Sequence, residues 1–236
     1  MALANVWCIV PAAGIGSRVG ANIPKQYLTL GGIPVLEITL QKLLSAGIFQ
    51  KIILVVSQQD SYFKTLPSTQ DARIVVVEGG KERSDSVRSG LAYLQSIAKE
   101  DDWVMVHDAA RPLIERREIL GLLEQCVMAN SGGILAIPVT DTLKRVNNNN
   151  QIETTVARAH LWQAQTPQCF PFFQLFHAMN FCFEKSIAIT DEASAVEAVG
   201  GDCILVVGRS DNMKITRQED LPIAEFIAQQ QAVAKK

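Results

Sequence analysis

The chain has 236 residues and 48% apolar residues, so it can bury the core of one large domain or two small ones, and disorder is excluded. Its formal charge of −2 at pH 7 supplies no global positive field, and its basic residues are mostly scattered, so nucleic acid is not an expected partner. No run approaches the roughly 18 apolar residues needed to span a bilayer. We therefore expect a soluble, cytoplasmic protein with no membrane partner.

Cysteine and histidine usage points away from disulfides and from a structural metal. The five cysteines form an odd set without two-residue spacing, and Cys8 and Cys203 lie inside apolar runs. This pattern indicates reduced thiols in the core rather than disulfides or a zinc site. The three histidines are dispersed, so no protein-held metal is expected.

Six short runs rich in Val and Ile are predicted to be β-strands. They are residues 6–11, 51–56, 73–77, 103–107, 133–139 and 203–207. Stretches with helical spacing lie between several of them. Continuous apolar strands that alternate with helices indicate a mainly parallel sheet covered on both faces, so the fold class is α/β.

One segment, at about 140–167, interrupts this alternation. Polar and β-branched residues lie on both sides of four asparagines at 147–150, which predicts a hairpin arm standing off the main sheet. Such an arm exposes strand edges, and a second copy of the chain is their simplest cover, so a homodimer is expected. Because neither a linker nor an internal repeat is found, residues 1–236 are predicted to form a single domain with this dimerisation arm.

The segment PAAGIGSRVG follows the first predicted strand, at the sheet edge where parallel α/β proteins bind phosphates. Gly14, Gly16 and Gly20 allow backbone N–H groups to approach an anion. Their spacing fits neither a P-loop, which needs a lysine after the last glycine, nor the dinucleotide fingerprint. Arg18 and Lys25 flank the loop and suit a polyphosphate whose charge grows during reaction. The alternative is an ordinary strand-to-helix turn with both cations in solvent.

Two further stretches are predicted to reach the same edge. Asp108 follows the strand at 103–107, where an aspartate commonly binds sugar hydroxyls or a phosphate-bound Mg²⁺. It could instead close a turn and pair with Arg111. Within 79–91, two glycines precede an amphipathic helix whose start could hydrogen-bond a base, or where Asp85 or Ser86 could act only as a cap.

Polar residues towards the end of the chain extend this set. Thr190 or Asp191 is predicted at a helix start, where it could cap the helix or face a ligand phosphate. Residues 211–216 alternate, which places Lys214 and Thr216 on one face and their apolar neighbours on the other. His107, at an apolar strand end, is expected to be packed or hydrogen-bonded and to have no chemical role.

Taken in order, several motifs resemble one enzyme family. They are PAAGIGSRVG…PKQY, GGKERSDSV, HDAARP, DTLKR, TPQ, TDEAS and DNMKIT. Over about residues 6–226 the chain resembles the 2-C-methyl-D-erythritol 4-phosphate cytidylyltransferases of the non-mevalonate isoprenoid pathway, although sugar-nucleotide pyrophosphorylases share the glycine loop. The resemblance implies a Rossmann-like sheet of the nucleotide-diphospho-sugar transferase type. It also implies an enzyme that uses CTP, a polyol phosphate and Mg²⁺ held mainly through the CTP phosphates, and a homodimer joined by protruding arms.

The resemblance also implies roles for individual residues. Arg18 and Lys25 would stabilise the transition state, and Arg158 and Lys214 are the other expected catalytic residues. Thr142 and Arg158 match arm positions that reach the substrate phosphate in the partner's site, whereas Thr190 and Lys214 match positions that hold it within the subunit. The expected substrate-binding residues are Ala12, Ala13, Gly14, Gly16, Gly80, Ser86, Asp108, Arg111, Thr142, Thr166 and Thr190.

Two residues depart from the pattern of similar chains, which often carry Asp in place of Lys81 and of Ala157. The first change affects a side-chain contact to the base, and the second removes a carboxylate beside Arg158. Two alternative functions also fit the sequence. The protein could transfer a cytidylyl group to another polyol phosphate such as ribitol 5-phosphate, or it could bind a nucleotide without turnover.

Overall fold

The structure, a computed structural model, describes residues 4–14 and 24–233. The strands are β1 Val6–Pro11, β2 Thr29–Leu30, β3 Ile33–Pro34, β4 Phe49–Val56, β5 Ile74–Glu78, β6 Trp103–Val106, β7 Gly132–Pro138, β8 Leu143–Val146, β9 Ile152–Val156, β10 Trp162–Pro171 and β11 Cys203–Val207. The helices are α1 Val35–Ala46, α2 Arg83–Leu94, α3 Arg116–Ala129, α4 Phe172–Glu184, α5 Glu192–Ala198 and α6 Asp220–Val233. Short 3₁₀ turns occupy Lys25–Tyr27, Tyr62–Thr65 and Pro67–Gln70.

A seven-stranded sheet forms the centre of the fold, in the spatial order β11-β7-β10-β6-β1-β4-β5. Neighbouring strands are parallel except at β10, which runs antiparallel to both β6 and β7. The α/β class and the mainly parallel sheet are therefore confirmed. All six predicted strands occur, with ends shifted by at most two residues.

Strand β1 shows why these runs are continuously apolar. Successive side chains of a strand point to opposite faces of the sheet. Cys8 packs with residues of α1 and α3, and Ile9 packs on the opposite face with residues of α2, α4 and α5. Both side chains are fully buried. With helices on both faces, every position of the strand favours an apolar residue.

Of the seven strands of the main sheet, β10 is the one that the sequence did not predict. Its first residues, Trp162 to Ala164, are exposed and pair only with β7, whereas the residues from Gln165 to Phe170 are buried. From Gln168 onward the strand also pairs with β6, and the Thr166–Pro167 peptide bond is cis. The first half of the strand lies at the exposed rim of the sheet and is polar, so its sequence does not show the apolar run that predicts a buried strand.

The hairpin arm consists of β8 and β9, which pair only with each other within the described structure. Its turn is held by Asn147, whose Oδ1 accepts the backbone N–H groups of Asn149 at 2.9 Å and of Gln151 at 3.0 Å. The hairpin and its asparagine tip agree with the prediction. The predicted end of the arm at about 167 is wrong, because residues from Trp162 onward belong to β10 in the main sheet.

The cysteines behave as the sequence predicts. All five lie within the described residues as free thiols, four of them buried and Cys203 partly so. Burial raises the pKa of Cys8 well above its ordinary value, as expected for an inert core thiol. Within residues 4–14 and 24–233, no helix is long and apolar enough to cross a membrane.

Candidate active site

A cavity of about 470 Å³ opens at the carboxyl ends of β1 and β6. Cationic side chains outnumber carboxylates in its lining, which suits an anionic ligand. The lining residues are Pro11, Ala12, Ala13, Gly14, Lys25, Gln26, Lys81, Glu82, Arg83, Ser86, Asp108, Ala109, Ala110, Lys214 and Thr216. The sheet edge predicted to bind phosphate therefore carries a cavity with four cations from three separate parts of the described chain.

The loop after β1 is shaped by Gln26, a buried side chain that the sequence analysis missed. Gln26 Nε2 donates to the carbonyl oxygen of Ala12 at 2.7 Å and to that of Gly14 at 3.4 Å. A Cβ atom on Gly14 would meet no heavy atom within 4 Å, so its backbone faces open space. Gly16 and Arg18 lie outside the described residues. Of the predicted loop residues, the structure thus brings Ala12, Ala13, Gly14 and Lys25 to the cavity.

The start of α2 forms a second wall of the cavity. Glu82 and Asp85 form a reciprocal capping box, so the helix begins at Arg83 and Asp85 lies in its first turn. Ser86 lines the cavity and donates its hydroxyl proton to the carbonyl oxygen of Glu82 at 3.2 Å. Gly80 lies behind this wall, where a Cβ atom would be 2.3 Å from Cβ of Asp85. Gly80 therefore permits close packing and is not itself a lining residue.

The carboxylate of Asp108 is the centre of an ion-pair network. Its Oδ1 lies 2.9 Å from Arg83 Nε, and its Oδ2 lies 2.8 Å from Lys214 Nζ and 3.6 Å from Arg111 Nε. Burial on its own would raise the pKa of Asp108, but the charges of Arg83 and Lys214 outweigh it and hold that pKa far below its ordinary value. Asp108 is thus an anion at neutral pH, and it orients cations rather than accepting a proton.

His107 and Thr166 hold the backbone of Asp108 in place. Thr166 Oγ1 accepts the Asp108 N–H at 3.0 Å and lies 3.1 Å from His107 Nδ1, and His107 Nε2 lies 3.0 Å from the carbonyl oxygen of Arg111. Because the carbonyl oxygen can only accept, Nε2–H donates to it, and Nδ1 of the neutral ring therefore accepts the Thr166 hydroxyl proton. Burial lowers the pKa of His107 to about 4, which agrees with a neutral ring.

Two expected substrate-binding residues, Thr166 and Arg111, make contacts within the protein. Thr166 is buried, and its hydroxyl bonds to the Asp108 N–H and to His107 Nδ1. Arg111 donates from Nη1 to the carbonyl oxygen of Asn212 at 2.7 Å. Neither residue lines the cavity of the single chain, and both lie against Asp108, so they support its position, whereas substrate binding by either stays a prediction. The expectation that His107 is hydrogen-bonded is confirmed.

The segment before α6 carries Lys214 into the cavity. Met213 and Ile215 pack in an apolar cluster with α6, whereas Lys214 and Thr216 line the cavity, as the predicted alternation requires. The segment is irregular and is not a strand of the sheet. Its anchor is Asn212, fully buried, whose Nδ2 donates to the carbonyl oxygen of Thr166 at 3.0 Å.

Three expected substrate contacts lie outside this cavity. Thr142 and Arg158 flank the hairpin and are exposed. Thr190 precedes α5, whose N-cap is Asp191, and it lines a neighbouring cavity of about 580 Å³. Glu82 and Arg83 line both cavities. A single chain therefore does not bring Thr142 and Arg158 to Lys214, and a shared wall separates Thr190 from it.

The sequence analysis missed Arg83 and Glu192 as members of the site. Arg83 Nη1 and Nη2 donate to the two carboxylate oxygens of Glu192 at 2.6 and 3.1 Å, across 109 residues of sequence. Burial on its own would lower the pKa of Arg83, but the charges of Glu192 and Asp108 raise it overall. The only sequence signal for the pair was a charged residue at each of two helix starts, which usually means capping.

The described residues contain no group of three His, Cys, Asp or Glu side chains placed to hold a metal ion. Of the two carboxylates in the described cavity lining, Asp108 has both oxygens engaged by cations, and Glu82 is used in the capping box of α2. The described side chains could therefore supply only a minor share of the ligands of a divalent cation, and phosphate oxygens of a bound substrate would have to supply the others.

An α/β sheet with a cation-lined cavity at its carboxyl edge defines a nucleotide-binding protein of the nucleotidyltransferase type. The sequence model of the family 2-C-methyl-D-erythritol 4-phosphate cytidylyltransferase matches residues 6–230. The chain belongs to this family.

Individual relatives and solved structures agree. A protein of that name from Tolumonas auensis is 49% identical over 223 residues, covering 94% of this chain and 96% of the relative. One from Aliivibrio fischeri is 47% identical over 225 residues, covering 95% and 94%. The crystal structure of the Francisella tularensis protein has a TM-score of 0.84 at 38% identity and covers 95% of this chain and 100% of that one.

Proposed function

We infer that this protein is a cytidylyltransferase that joins CTP and 2-C-methyl-D-erythritol 4-phosphate to give 4-diphosphocytidyl-2-C-methyl-D-erythritol and pyrophosphate, for isoprenoid precursor synthesis. The observation that carries the inference is the family match over residues 6–230. The cavity supports it, because a lining with excess positive charge favours the meeting of two phosphate compounds.

The chemistry requires positioning and charge compensation more than proton removal. A phosphate oxygen of the second substrate forms a bond to the α-phosphorus of CTP. The bond from that phosphorus to the bridging oxygen breaks, and the electron pair leaves with pyrophosphate. A phosphate monoester is already an adequate nucleophile at neutral pH, so no activated Ser, Cys or His is needed. The barrier arises mainly from repulsion between two anions.

Two described lysines and one arginine beyond the described residues are assigned to this charge compensation. Lys25 and Lys214 line the cavity, and Asp108 holds the Lys214 ammonium at 2.8 Å. Arg18 is proposed to act beside Lys25 on the α-phosphoryl group. Fixed cations of this kind stabilise the five-coordinate transition state because they need no reorganisation when charge develops.

The nucleoside is assigned to the walls made by the loop after β1 and the start of α2. Ala12, Ala13 and Gly14 present backbone groups there, and Ser86 presents a hydroxyl. Lys81 also lines the cavity, so its side chain replaces the carboxylate that similar chains often carry near the base. The backbone contacts of this wall do not depend on that change.

Mg²⁺ is proposed as the cofactor, held mainly by the CTP phosphates. When bound, it lowers repulsion between the phosphates and improves the leaving group. The test is to titrate Mg²⁺ against fixed CTP and 2-C-methyl-D-erythritol 4-phosphate and to measure pyrophosphate. Activity should follow the concentration of the Mg²⁺–CTP complex, and full activity in excess EDTA would exclude this role.

A homodimer is proposed to complete the site. Ile152 on the hairpin is 65% exposed, and Val146 and the edge-strand residue Val207 are exposed as well. Covering these apolar side chains with a second copy would remove them from water and place Thr142 and Arg158 beside the partner's cavity. Sedimentation velocity tests the oligomeric state, and a monomer at micromolar concentration would contradict the proposal.

Mixed dimers test whether the arm crosses to the partner. A chain with Lys25→Ala paired with a chain carrying Arg158→Ala would contain one site in which both residues are intact. We expect purified mixed dimers to recover roughly half of the wild-type turnover, whereas each parental variant stays nearly inactive. Inactive mixed dimers would show that each site is built from a single chain.

A substrate matrix tests the function itself. CTP or UTP is combined with 2-C-methyl-D-erythritol 4-phosphate or ribitol 5-phosphate, and pyrophosphate release is followed. We expect CTP with the first polyol phosphate to give the highest kcat/KM. Lys214→Ala should lose about 10²–10³ in kcat, and Lys99→Ala, an exposed lysine outside both cavities, should not. Preference for ribitol 5-phosphate or absence of turnover would favour one of the two alternative functions.

The cytoplasmic location remains a proposal. The five free cysteines support it, because reduced thiols persist in a reducing compartment. Cell fractionation with an antibody to the chain tests it, and recovery outside the cytoplasmic fraction would contradict it.

A further inference from the structure

Glu192 is a buried carboxylate that lines neither cavity. It is the first residue of α5, and its exposed fraction is 0%. An ionised carboxylate at this depth needs a compensating charge, which Arg83 supplies through two hydrogen bonds of 2.6 and 3.1 Å. Glu192 contributes to the site only through the side chain that it holds.

The two hydrogen bonds between Arg83 and Glu192 determine the direction in which the Nε–H group of Arg83 points. A guanidinium is planar, so fixing Nη1 and Nη2 on one carboxylate also fixes the direction of Nε–H. In this structure Arg83 Nε points to Asp108 Oδ1 at 2.9 Å. A lysine in place of Arg83 would keep the charge but not this two-sided geometry.

The next contact extends the arrangement into the nucleotide cavity. Asp108 Oδ2 lies 2.8 Å from Lys214 Nζ. Four groups of alternating charge therefore run from Glu192 through Arg83 and Asp108 to Lys214. Each charged group fixes the position of the oppositely charged group next to it. Of the four, only Glu192 is not part of the cavity lining.

We propose that Glu192 is a positioning residue for cytidylyl transfer: through Arg83 it fixes the orientation of Asp108 and hence the position of the Lys214 ammonium. The proposal rests on the proposed function. Because Arg83 lines both cavities, the same pair also fixes the wall between the nucleotide cavity and the one that Thr190 lines.

Stability alone is a weak reason for such a pair. Buried ion pairs are often no more stabilising than well-packed apolar residues of similar size. The gain that an apolar pair could not provide is a fixed hydrogen-bond direction towards Asp108. The effect of removing Glu192 should therefore appear in the kinetics of correctly folded enzyme, not only in its melting temperature.

The first test compares Glu192→Gln with Glu37→Gln in the full-length enzyme. Both change a buried carboxylate to an amide of the same shape. Glu37 is bonded to Ser68 and Gln41 and lines neither cavity. Per folded molecule, Glu192→Gln should lower kcat/KM about 10–100-fold and raise KM for CTP, the scale of a small misplacement of a reacting group. Glu37→Gln should leave both within about twofold.

The second test uses the partner residue. Arg83→Gln leaves the buried Glu192 carboxylate without its arginine, so we expect it to lower kcat/KM more than Glu192→Gln does. The double variant Arg83→Gln/Glu192→Gln has two neutral side chains of matched size, which protects its folding. If the residues act as a unit, the double variant keeps at least the kcat/KM of Arg83→Gln. Losses that multiply would overturn the proposal.

Wild-type turnover of CTP and 2-C-methyl-D-erythritol 4-phosphate is measured in the same series. Absence of turnover would mean that the proposed function is wrong, and the positioning role would be lost with it. Normal wild-type turnover with Glu192→Gln indistinguishable from Glu37→Gln would overturn the positioning role alone. Normal turnover with the expected loss and the expected double-variant result would support both.

Discussion

Replacing Thr166 by valine tests whether its hydroxyl supports the site or contacts a ligand. Valine has the shape of threonine but leaves two buried groups, the Asp108 N–H and His107 Nδ1, without their partner at 3.0 and 3.1 Å. A buried polar group left unpaired costs about 1–3 kcal/mol. We therefore expect Thr166→Val to lower the free energy of unfolding of the ligand-free protein by about 2–6 kcal/mol.

The control is Thr166→Ser, which keeps the hydroxyl and loses a methyl group worth about 1 kcal/mol. Both variants are compared by urea unfolding followed through tryptophan fluorescence, since Trp7 and Trp103 are buried in the fold. If Thr166→Val is as stable as Thr166→Ser while its KM for CTP rises strongly, the hydroxyl binds the ligand and the supporting role is wrong.

Three further predictions concern neighbouring groups. The pKa of His107 is about 4 in the folded protein, below its ordinary value of 6.5. As pH falls, the unfolded chain therefore binds this proton before the folded protein does. About 3 kcal/mol of the free energy of unfolding should be lost between pH 6.5 and pH 4, with no loss above pH 6.5. In urea unfolding at a series of pH values, His107→Gln should not show this loss of stability. His177→Gln, at an exposed histidine, should show it as the wild type does. Gly80→Ala should lower the melting temperature because its Cβ would meet Asp85 at 2.3 Å, whereas Gly14→Ala should leave it unchanged and raise only KM for CTP. Gln26→Leu should raise KM for CTP about tenfold, because the loop loses its hydrogen bonds to two carbonyls; an unchanged KM would contradict this role.

The main sheet was predictable wherever a strand is buried on both faces. Runs such as 6–11 and 51–56 can be recognised as strands from their sequence alone, because every position of such a strand favours an apolar side chain. Strand β10 was missed because its first half is polar and exposed and its pairing partners β6 and β7 both precede it by more than twenty residues. No local pattern encodes that insertion.

The candidate site was predictable where a residue lies at a strand end or in a glycine loop. Lys25, Asp108 and Lys214 meet in the cavity that the motifs indicated. The supporting contacts were not predictable, since the partner of Arg83 lies 109 residues away in Glu192. The contacts of Thr166 to Asp108 and His107 were not predictable either, since a sequence motif shows which residues lie near a ligand but not which neighbours they bond.

The placement of β10 between β6 and β7 has a consequence for synthesis on the ribosome. Strands β1, β4, β5 and β6 can pair as soon as residues up to Val106 have emerged, but the free edge of β6 then waits for Trp162–Pro171. An unpaired edge is a template for wrong association until its partner arrives. During synthesis we therefore expect a stage in which β1, β4, β5 and β6 are paired while the edge of β6 that β10 later covers is still exposed.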